Sequence, residues 1–430
     1  MVGLLPLMFA LAIAETGVGV RGVATAALVQ WLALAALALG WFAVAEMAVR
    51  RWLPSWPMRR LAWWDGFGHA VSLVGAAWLT YGLGWAQDQR AFTLALLPWL
   101  LLTGIHWWTL TGLYGGSLRR RWTRLSHQAR FSVLPILLIL PFLDACTWVA
   151  RHTPIEAFLM GHLGVVANGI GSLLVAVGMV ALMPWALIRL WRAQPLPNGP
   201  ESAALTAACA TGGVRGARLM VLPGGGEDYN AAILGVVPGL KYVVFTGPLL
   251  RDFSADERLA VLGHELGHSR YRHLWLYVVF VVGAGLSAWV VEPWLRALVA
   301  LVPGSAHLDP ALVRGLILIV TWLVLMRGCF GVLSRACERQ ADLHGADLAG
   351  PTAMIQALKR VAQASGQAED APSWRHRSIA ARCAFLFRYA AEPGLAARHH
   401  RLVAHMRLLL LGSVLLLALV ALHRLGWLGA

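Results

Sequence analysis

The sequence predicts a mainly α, polytopic membrane protein with about eight or nine transmembrane helices and a small α+β domain at the cytoplasmic face. Of the 430 residues, 58% are hydrophobic and 13% are charged, whereas soluble domains carry about 25% charged residues. Apolar runs of about 20 residues, the length that crosses a bilayer, recur along the chain. One polar region near the middle interrupts them and alternates short apolar runs with turn residues.

Eight apolar runs reach the length of a membrane span. They cover residues 24–46, 68–87, 92–114, 131–150, 157–188, 274–291, 312–333 and 407–426. Residues 3–14 are shorter and lack a preceding basic flank, so they are a ninth span, a signal-like segment or an interfacial helix, and we favour the span. Three histidines lie in or at the ends of spans, and the sequence leaves their role open: His69, His106 and His162.

The basic residues predict the orientation of the spans. Arginines cluster in the loops 50–60, 119–130 and 189–192, whereas the intervening loops hold only Arg90 or Arg151. The positive-inside rule assigns the heavily basic loops to the cytoplasm, so the polar region after the fifth span is expected there, with a bacterial inner membrane as the location. The same rule accounts for the net charge of +15. We therefore expect a lipid bilayer, and no nucleic acid, as the partner of the basic residues.

Composition divides the chain into membrane and soluble parts. A stretch rich in proline and glycine, "AQPLPNGPES", ends the N-terminal group of spans and opens the soluble domain. We predict an N-terminal multi-span region 1–192, a first soluble part 193–273, a transmembrane hairpin 274–333, a second soluble part 334–400 and a C-terminal transmembrane helix 401–430.

The first soluble part begins with strands. The runs "RLMVL" (218–222), "AAILGVV" (231–237) and "KYVVFT" (241–246) are apolar, partly β-branched and bounded by turn residues, which predicts a small sheet. The glycines at 224–226 predict a hairpin turn rather than a phosphate loop, because no Gly-Lys-Ser/Thr sequence follows them.

A capped helix follows the strands and carries the first site residues. Ser254 and Glu257 form a capping box, so we predict a helix over 255–273. His264 and His268 lie one turn apart on the same face of that helix, and their ring nitrogens can therefore converge on one ion. Glu265 projects about 100° away from His264, where it can reach an attacking water, as the general base of HExxH hydrolases does.

A catalytic zinc needs three protein ligands, so a third must come from elsewhere in the chain. The segment "SRACERQAD" (334–342) supplies Glu338. Asp342 follows one turn later and can accept the second ring N–H of a ligand histidine, which fixes the orientation of that ring. Because the two spans between His268 and Glu338 form a hairpin, both ligands lie on the same side of the membrane. The pattern predicts one Zn²⁺ per chain. The five cysteines show no CxxC spacing, so neither a cysteine-bound zinc nor a disulfide framework is expected.

These segments resemble the integral-membrane gluzincin metallopeptidases, the family that includes the type I CAAX prenyl protease and the HtpX-type quality-control protease. The matching segments lie between 213 and 388 and read "YNAAILG", "VVFTGPLL", "DERLAVLGHELGH", "SRACERQAD" and "HRSIAARCAFL". The resemblance implies that the soluble domain is a zincin-like peptidase domain. It also implies a zinc-dependent endopeptidase that hydrolyses peptide bonds of membrane-associated or misfolded protein substrates.

Further site residues follow from the resemblance alone. It implies that His376 and Arg382 join Glu265 as catalytic residues, by stabilising the tetrahedral oxyanion or by holding substrate. It also implies an edge strand that pairs with an extended peptide substrate. The residues assigned to that edge are Asn230, Ala231, Ala232 and Ile233.

Three alternative functions remain at this stage. The first is a catalytically silent membrane scaffold or receptor that retains the peptidase fold, which the intact motif residues argue against. The second is a site-2-type intramembrane protease, but charged residues such as Asp256, Arg258 and Arg270 surround the motif, which is too polar for the bilayer centre. The third is a transporter, whose polar residues would lie near the midplane on broken helices.

Overall fold

In the computed structural model, the described residues fall into two compact units, Met1–Met179 and Val180–Ala430. Several predicted features lie outside the described residues: the possible span at 3–14, the turn at 224–226 and His162. The description covers residues 27–56, 58–83, 85, 96–114, 117–130, 134–155, 158, 166–222, 229–235, 237, 239–304, 310–364, 368–370, 373 and 376–424.

The described part of the first unit consists of helices and the short turns between them. Its helices are α1 (Ala27–Arg51), α2 (Met58–Ala77), α3 (Leu97–Leu110), α4 (Leu118–Gln128), α5 (Leu134–Leu137) and α6 (Ile139–His152). Helix α3 packs against both α1 and α2, and Trp41 and Leu102 form part of the apolar core between α1 and α3. The unit therefore encloses an apolar interior among its first three helices.

Two of the histidines whose role the sequence leaves open belong to this interior. His106 is fully buried and its Nε2 lies 3.2 Å from Asp65 Oδ1, while His69 Nε2 lies 3.8 Å from the same oxygen. Asp65 is half-buried, and a carboxylate taken partly out of water is stabilised by such partners. The two histidines thus share one acidic partner.

The second unit contains the rest of the helices and the sheet, and α7 (Val166–Leu190) leads into it. Its remaining elements are β1 (Gln194–Pro195), α8 (Pro200–Thr211), β2 (Arg218–Leu222), β3 (Ala231–Leu234), β4 (Tyr242–Thr246), α9 (Gly247–Asp252), α10 (Ala255–Arg270), α11 (His273–Ala300), α12 (Pro310–Leu325), α13 (Gly331–Ala349), α14 (Pro351–Ala364), α15 (Ile379–Ala391) and α16 (Leu395–Arg424).

The sheet is small and mixed, with the strand order β1-β2-β4-β3. The strands β2 and β4 run parallel at its centre, and β1 and β3 pair antiparallel to them at the two edges. The central strand β4 is buried along almost its whole length, since Val243 and Phe245 pack into the core beneath α10 and α14. The predicted strands are confirmed, with β3 ending at Leu234.

Four helices among the described residues are long and apolar enough to cross a membrane: Leu28–Arg51, His273–Ala300, Val313–Ala349 and Leu395–Arg424. The mainly helical membrane fold with a small α+β part is confirmed to that extent. The other predicted spans coincide with shorter helices or run into segments outside the description, so the number of eight or nine spans stays a prediction.

Two of the long helices extend beyond their predicted limits. A π-helical turn at Met326–Phe330 joins α12 to α13, so the seventh span and the helix of the predicted third ligand form one continuous helix. Helix α16 begins at Leu395, well before the predicted start at 407. Its first turns contain charged residues and histidines, so hydropathy alone does not include them in the span.

Candidate metal centre and active site

Helices α10 and α13 cross at a distance that only small residues allow. A Cβ atom on Gly263 would lie 2.9 Å from the Cα of Gly345, and one on Gly267 would lie 2.9 Å from the Cα of Ala341. Gly263 and Gly267 are four residues apart on α10, and Ala341 and Gly345 are four residues apart on α13. Each helix therefore presents a face of small residues to the other. This crossing brings the side chain of Glu338 on α13 next to the two motif histidines on α10.

Three potential ligand atoms meet at the crossing. His264 Nε2 lies 3.2 Å from His268 Nε2, and each of these nitrogens lies 3.6 Å from a carboxylate oxygen of Glu338. Ligand atoms around a tetrahedral zinc, with bonds of about 2.1 Å, are about 3.4 Å apart. Two imidazoles and one carboxylate also match the donor set of a catalytic zinc site. The residues therefore fit a zinc ion.

Because the crossing positions the ligands, we expect Gly267→Ala to weaken zinc binding and to destabilise the fold by about 1–3 kcal/mol. The added methyl group would meet the Cα of Ala341 and the Cβ of His344 on α13, so that helix, which carries Glu338, would have to move. Zinc competition titration and denaturant unfolding of the detergent-solubilised chain measure the two effects. Gly285→Ala on α11 is the control, since a Cβ there meets nothing within 4 Å. Equal behaviour of the two variants would contradict the prediction.

Asp342 and Arg382 hold the ring of His264 in place. Asp342 is fully buried, and its Oδ1 lies 2.9 Å from His264 Nδ1. Arg382 donates from Nε to Asp342 Oδ2 over 2.8 Å, and its Nη2 donates to the other oxygen. Burial alone would lower the pKa of His264, but the hydrogen bond and charge of Asp342 outweigh it and raise that pKa. The Nδ1–H of His264 therefore has a fixed acceptor, and Nε2 faces the other two ligand atoms.

Glu265 lies beside the ligands without joining them. Its Oε2 accepts a hydrogen bond of 3.3 Å from the backbone N–H of Ile233 on β3. Burial raises its pKa to about 7, against the opposing charge of His264. For His268, burial and the charge of His264 lower the pKa well below its usual value. The site thus combines a histidine whose pKa is lowered with a carboxyl group whose pKa is raised.

His376 and Arg382 occupy different positions relative to the ligands. His376 Nδ1 lies 3.0 Å from Glu338 Oε2, and its side chain is 41% exposed. Arg382 is buried and directs its guanidinium at Asp342, with Nη2 at 3.9 Å from Glu338. His376 is therefore the more accessible of the two, whereas Arg382 is engaged by the residue that orients His264.

The edge strand β3 directs alternate residues away from the sheet. The Asn230 carbonyl accepts from the Thr246 N–H at the start of the β3–β4 ladder. Because antiparallel hydrogen bonding alternates, the main-chain groups of Ala231 and Ile233 point away from β4. The contact of the Ile233 N–H with Glu265 agrees with this direction. Of the four residues assigned to substrate, these two present main-chain groups at the outer edge, while Asn230 and Ala232 bond inward.

A cavity of about 830 Å³ lies in front of the three ligand atoms. Its wall includes Glu265, His376 and β3, and on another side the apolar residues Val261, Met354 and Leu358. It is large enough for a segment of extended polypeptide, with polar groups near the ligands and an apolar wall beside them.

Three further residues form a hydrogen-bonded chain that begins at His268, and the sequence did not predict it. His273 lies against His268, Gln340 contacts His273, and His400 contacts Gln340. Residues share a helix face when they are three or four positions apart. His273 is five positions after His268, and Gln340 is two positions after Glu338, so neither spacing predicts a shared face. Only the tertiary fold brings them together.

Comparisons with known proteins cover the region that contains this site. Residues 215–411 match the model of peptidase family M48. A protease HtpX homolog of Methanopyrus kandleri is 33% identical over 119 residues, which cover 27% of this chain and 35% of that protein. A protease HtpX homolog of Syntrophotalea carbinolica is 25% identical over 47% of this chain and 76% of its own. The protease HtpX of Xanthomonas oryzae pv. oryzae is 30% identical over 33% of this chain and 50% of its own.

Among solved structures, the crystal structure of S. mikatae Ste24p matches with a TM-score of 0.51 and 16% identity, over 83% of this chain and 99% of that one. At this identity the likeness concerns the fold. The resemblance to the integral-membrane gluzincin peptidases, which the sequence motifs indicate, is confirmed. The chain spans about a third of the first curated relative above and half to three quarters of the other two.

Proposed function

We propose, from the premise that residues 215–411 form a peptidase region of family M48 in an integral membrane protein, that the chain is a zinc-dependent endopeptidase. One observation carries the proposal: two histidines and a glutamate from two helices direct three ligand atoms at one point, with the spacing of a tetrahedral zinc site. Glu265 lies beside that point. The curated relatives bear the name protease, which supports the same reaction class.

The chain's own residues supply the proton transfer. A zinc ion held by His264, His268 and Glu338 would polarise the scissile carbonyl and make water a nucleophile at neutral pH. Glu265 takes the proton of the attacking water and then delivers it to the leaving amine. Burial raises the pKa of Glu265 above the usual value of a glutamate, which makes it a stronger proton acceptor.

Other residues bind the substrate and face the developing charge. The accessible His376 is the donor we assign to the oxyanion of the tetrahedral intermediate. Arg382 acts through Asp342, as a positioning residue for His264. The outward main-chain groups of Ala231 and the carbonyl of Ile233 pair with an extended peptide, which adds a strand to the sheet edge, while the Ile233 N–H donates to Glu265. This division modifies the shared catalytic role that the resemblance implies for His376 and Arg382.

The substrates are membrane-associated or misfolded proteins, and the active site faces the cytoplasm. The spans His273–Ala300 and Leu395–Arg424 begin beside the ligand helices, which supports an active site close to the bilayer surface. The arginine distribution of the loops supports the cytoplasmic side, with a bacterial inner membrane as the location.

The test is the zinc content of the detergent-purified chain, together with cleavage of unfolded casein. We expect about one zinc per chain and metal-dependent cleavage for the wild type. Glu338→Ala should lose most of the zinc and lower cleavage by at least about 100-fold, since a ligand is removed. Glu392→Ala, which changes a surface glutamate of the same unit paired with Arg388, is the control and should match the wild type.

A chelator should abolish the cleavage, and added zinc should restore it. A wild type that is inactive and takes up neither zinc nor another divalent ion would overturn the proposal. It would then favour a catalytically silent scaffold that retains the peptidase fold.

A further inference from the structure

Hydrogen bonds link the second ligand histidine to three other helices. His268 Nδ1, the nitrogen on the far side of the ring from the ligand set, lies 3.0 Å from His273 Nδ1. His273 Nε2 lies 2.9 Å from Gln340 Oε1, and Gln340 Nε2 lies 2.8 Å from His400 Nδ1. His273 is fully buried and Gln340 is 4% exposed. The four residues come from α10, α11, α13 and α16 in turn.

The donor and the acceptor in each of these hydrogen bonds follow from the tautomer of His268. A ligand nitrogen must present a lone pair, so a neutral His268 that binds through Nε2 carries its proton on Nδ1. That N–H donates to His273 Nδ1, which accepts, and the proton of a neutral His273 is then on Nε2. The Nε2–H donates to Gln340 Oε1, and the amide nitrogen of Gln340 donates to His400 Nδ1. No step in this chain conflicts with another.

The junction between α10 and α11 positions His273 for this role. Arg272 adopts a left-handed conformation with φ of 55°, which ends α10 and turns the chain into α11. Helix α16 contacts the same junction, since Arg407 donates to the Tyr271 carbonyl over 2.6 Å and Tyr271 lies on the ring of His400, with centroids 5.2 Å apart. Left-handed backbone at a residue other than glycine is uncommon and persists where the surroundings hold it.

We propose that His273 and Gln340 are positioning residues that hold His268 in the tautomer and orientation required of a zinc ligand. The inference rests on the proposed function. It makes the two ligand histidines unequal, because His264 has the ionised Asp342 as its partner, whereas His268 has a neutral imidazole fixed by an amide. Partners that orient ligand histidines typically change metal affinity by 10–100-fold when they are removed.

The test measures zinc affinity by competition with a chelator on the full-length chain in detergent, together with the visible absorption of the cobalt-substituted protein. We expect His273→Ala to weaken zinc binding by about 10–100-fold and to alter the cobalt spectrum. His273→Asn should recover most of the affinity, because asparagine Oδ1 and histidine Nδ1 are both one bond beyond Cγ and both accept. Gln340→Leu should cause a smaller loss of zinc affinity. His273 stays next to His268 in that variant, but no acceptor fixes its proton on Nε2.

His399→Ala is the matched control. His399 is a buried histidine next to His400, and its Nε2 bonds to the Ala336 carbonyl rather than to the chain of four residues. This variant should lower the unfolding temperature of the apo-protein but leave the zinc affinity and the cobalt spectrum unchanged. It therefore separates loss of packing from loss of ligand orientation.

Wild-type affinity and spectrum in His273→Ala would overturn the inference, as would an equal loss of affinity in His399→Ala or no recovery in His273→Asn. If His273→Ala fails to fold, Gln340→Leu decides, and wild-type affinity in that variant overturns the inference. A wild type that binds neither zinc nor cobalt overturns the proposed function instead, so the two failures are distinguishable.

Discussion

Glu265→Gln is expected to lower casein cleavage by about 10²–10⁴-fold, the usual contribution of a general base, while one zinc per chain is retained. Glutamine has nearly the same shape as glutamate, and its side-chain oxygen can still accept from the Ile233 N–H. It cannot, however, accept the proton of the attacking water. Zinc content, zinc affinity and initial cleavage rates are measured for the purified wild type and for Glu265→Gln, to show whether cleavage is lost while zinc is retained.

His264→Ala is the contrasting variant, since it removes a ligand atom and should lose both zinc and cleavage. The difference between the two variants distinguishes a base from a ligand, although the residues are adjacent. Cleavage near the wild-type rate in Glu265→Gln would contradict the assignment of the base. Loss of zinc in that variant would instead place Glu265 among the ligands.

The sequence predicts the helix cap, the histidine pair and the strands of this site well, because each depends on residues that are close together in the sequence. The capping box at Ser254 and Glu257 is confirmed, with the Glu257 N–H donating to Ser254 Oγ. The two motif histidines share a helix face because of helical spacing alone. The strands β2 and β4 have the predicted limits to within a residue, since their apolar, partly β-branched runs are bounded by turns.

The parts that escaped prediction depend on tertiary packing. The close crossing of α10 and α13 requires Gly263 and Gly267 to face Ala341 and Gly345, and no local pattern says which glycines will meet. In the same way, His273 reaches His268 only because the left-handed Arg272 ends α10 and α11 begins at His273. Helix α16 starts before the span predicted at 407 because its first turns pack on α13, although those turns are polar.

The contact of Asp342 with His264 is predicted from the sequence, but the ion pair of Asp342 with Arg382 is not. Sequence spacing predicts that Asp342 orients a ligand histidine, and it lies 2.9 Å from His264. Nothing in the sequence predicts that a guanidinium 40 residues later will bond to both carboxylate oxygens. A fully buried carboxylate needs that compensation, because an ion without a partner is costly in a low-dielectric interior.

Asp342→Ala is therefore expected to have the largest effect on stability of any single change at the site. It would leave the buried Arg382 without the carboxylate that accepts its two hydrogen bonds, which costs about 3–5 kcal/mol, and would remove the acceptor of the His264 Nδ1–H. Asp342→Asn keeps an acceptor for that N–H but no charge for Arg382. We expect it to destabilise the fold by a similar amount and to weaken zinc binding less. Denaturant unfolding of the apo-protein and zinc competition measure the two quantities separately.

Two further variants identify the cause. Asp347→Asn, on the same helix and bonded to Tyr389 at the surface, should change neither quantity appreciably, because an exposed group is solvated by water. Replacing both members of the buried pair, as in Asp342→Leu with Arg382→Met, should recover much of the stability lost by Asp342→Ala, since no unpaired charge remains. It should not recover zinc affinity, because His264 would still lack its acceptor. Recovery of both would mean that the ion pair, and not the hydrogen bond to His264, determines the geometry of the ligand.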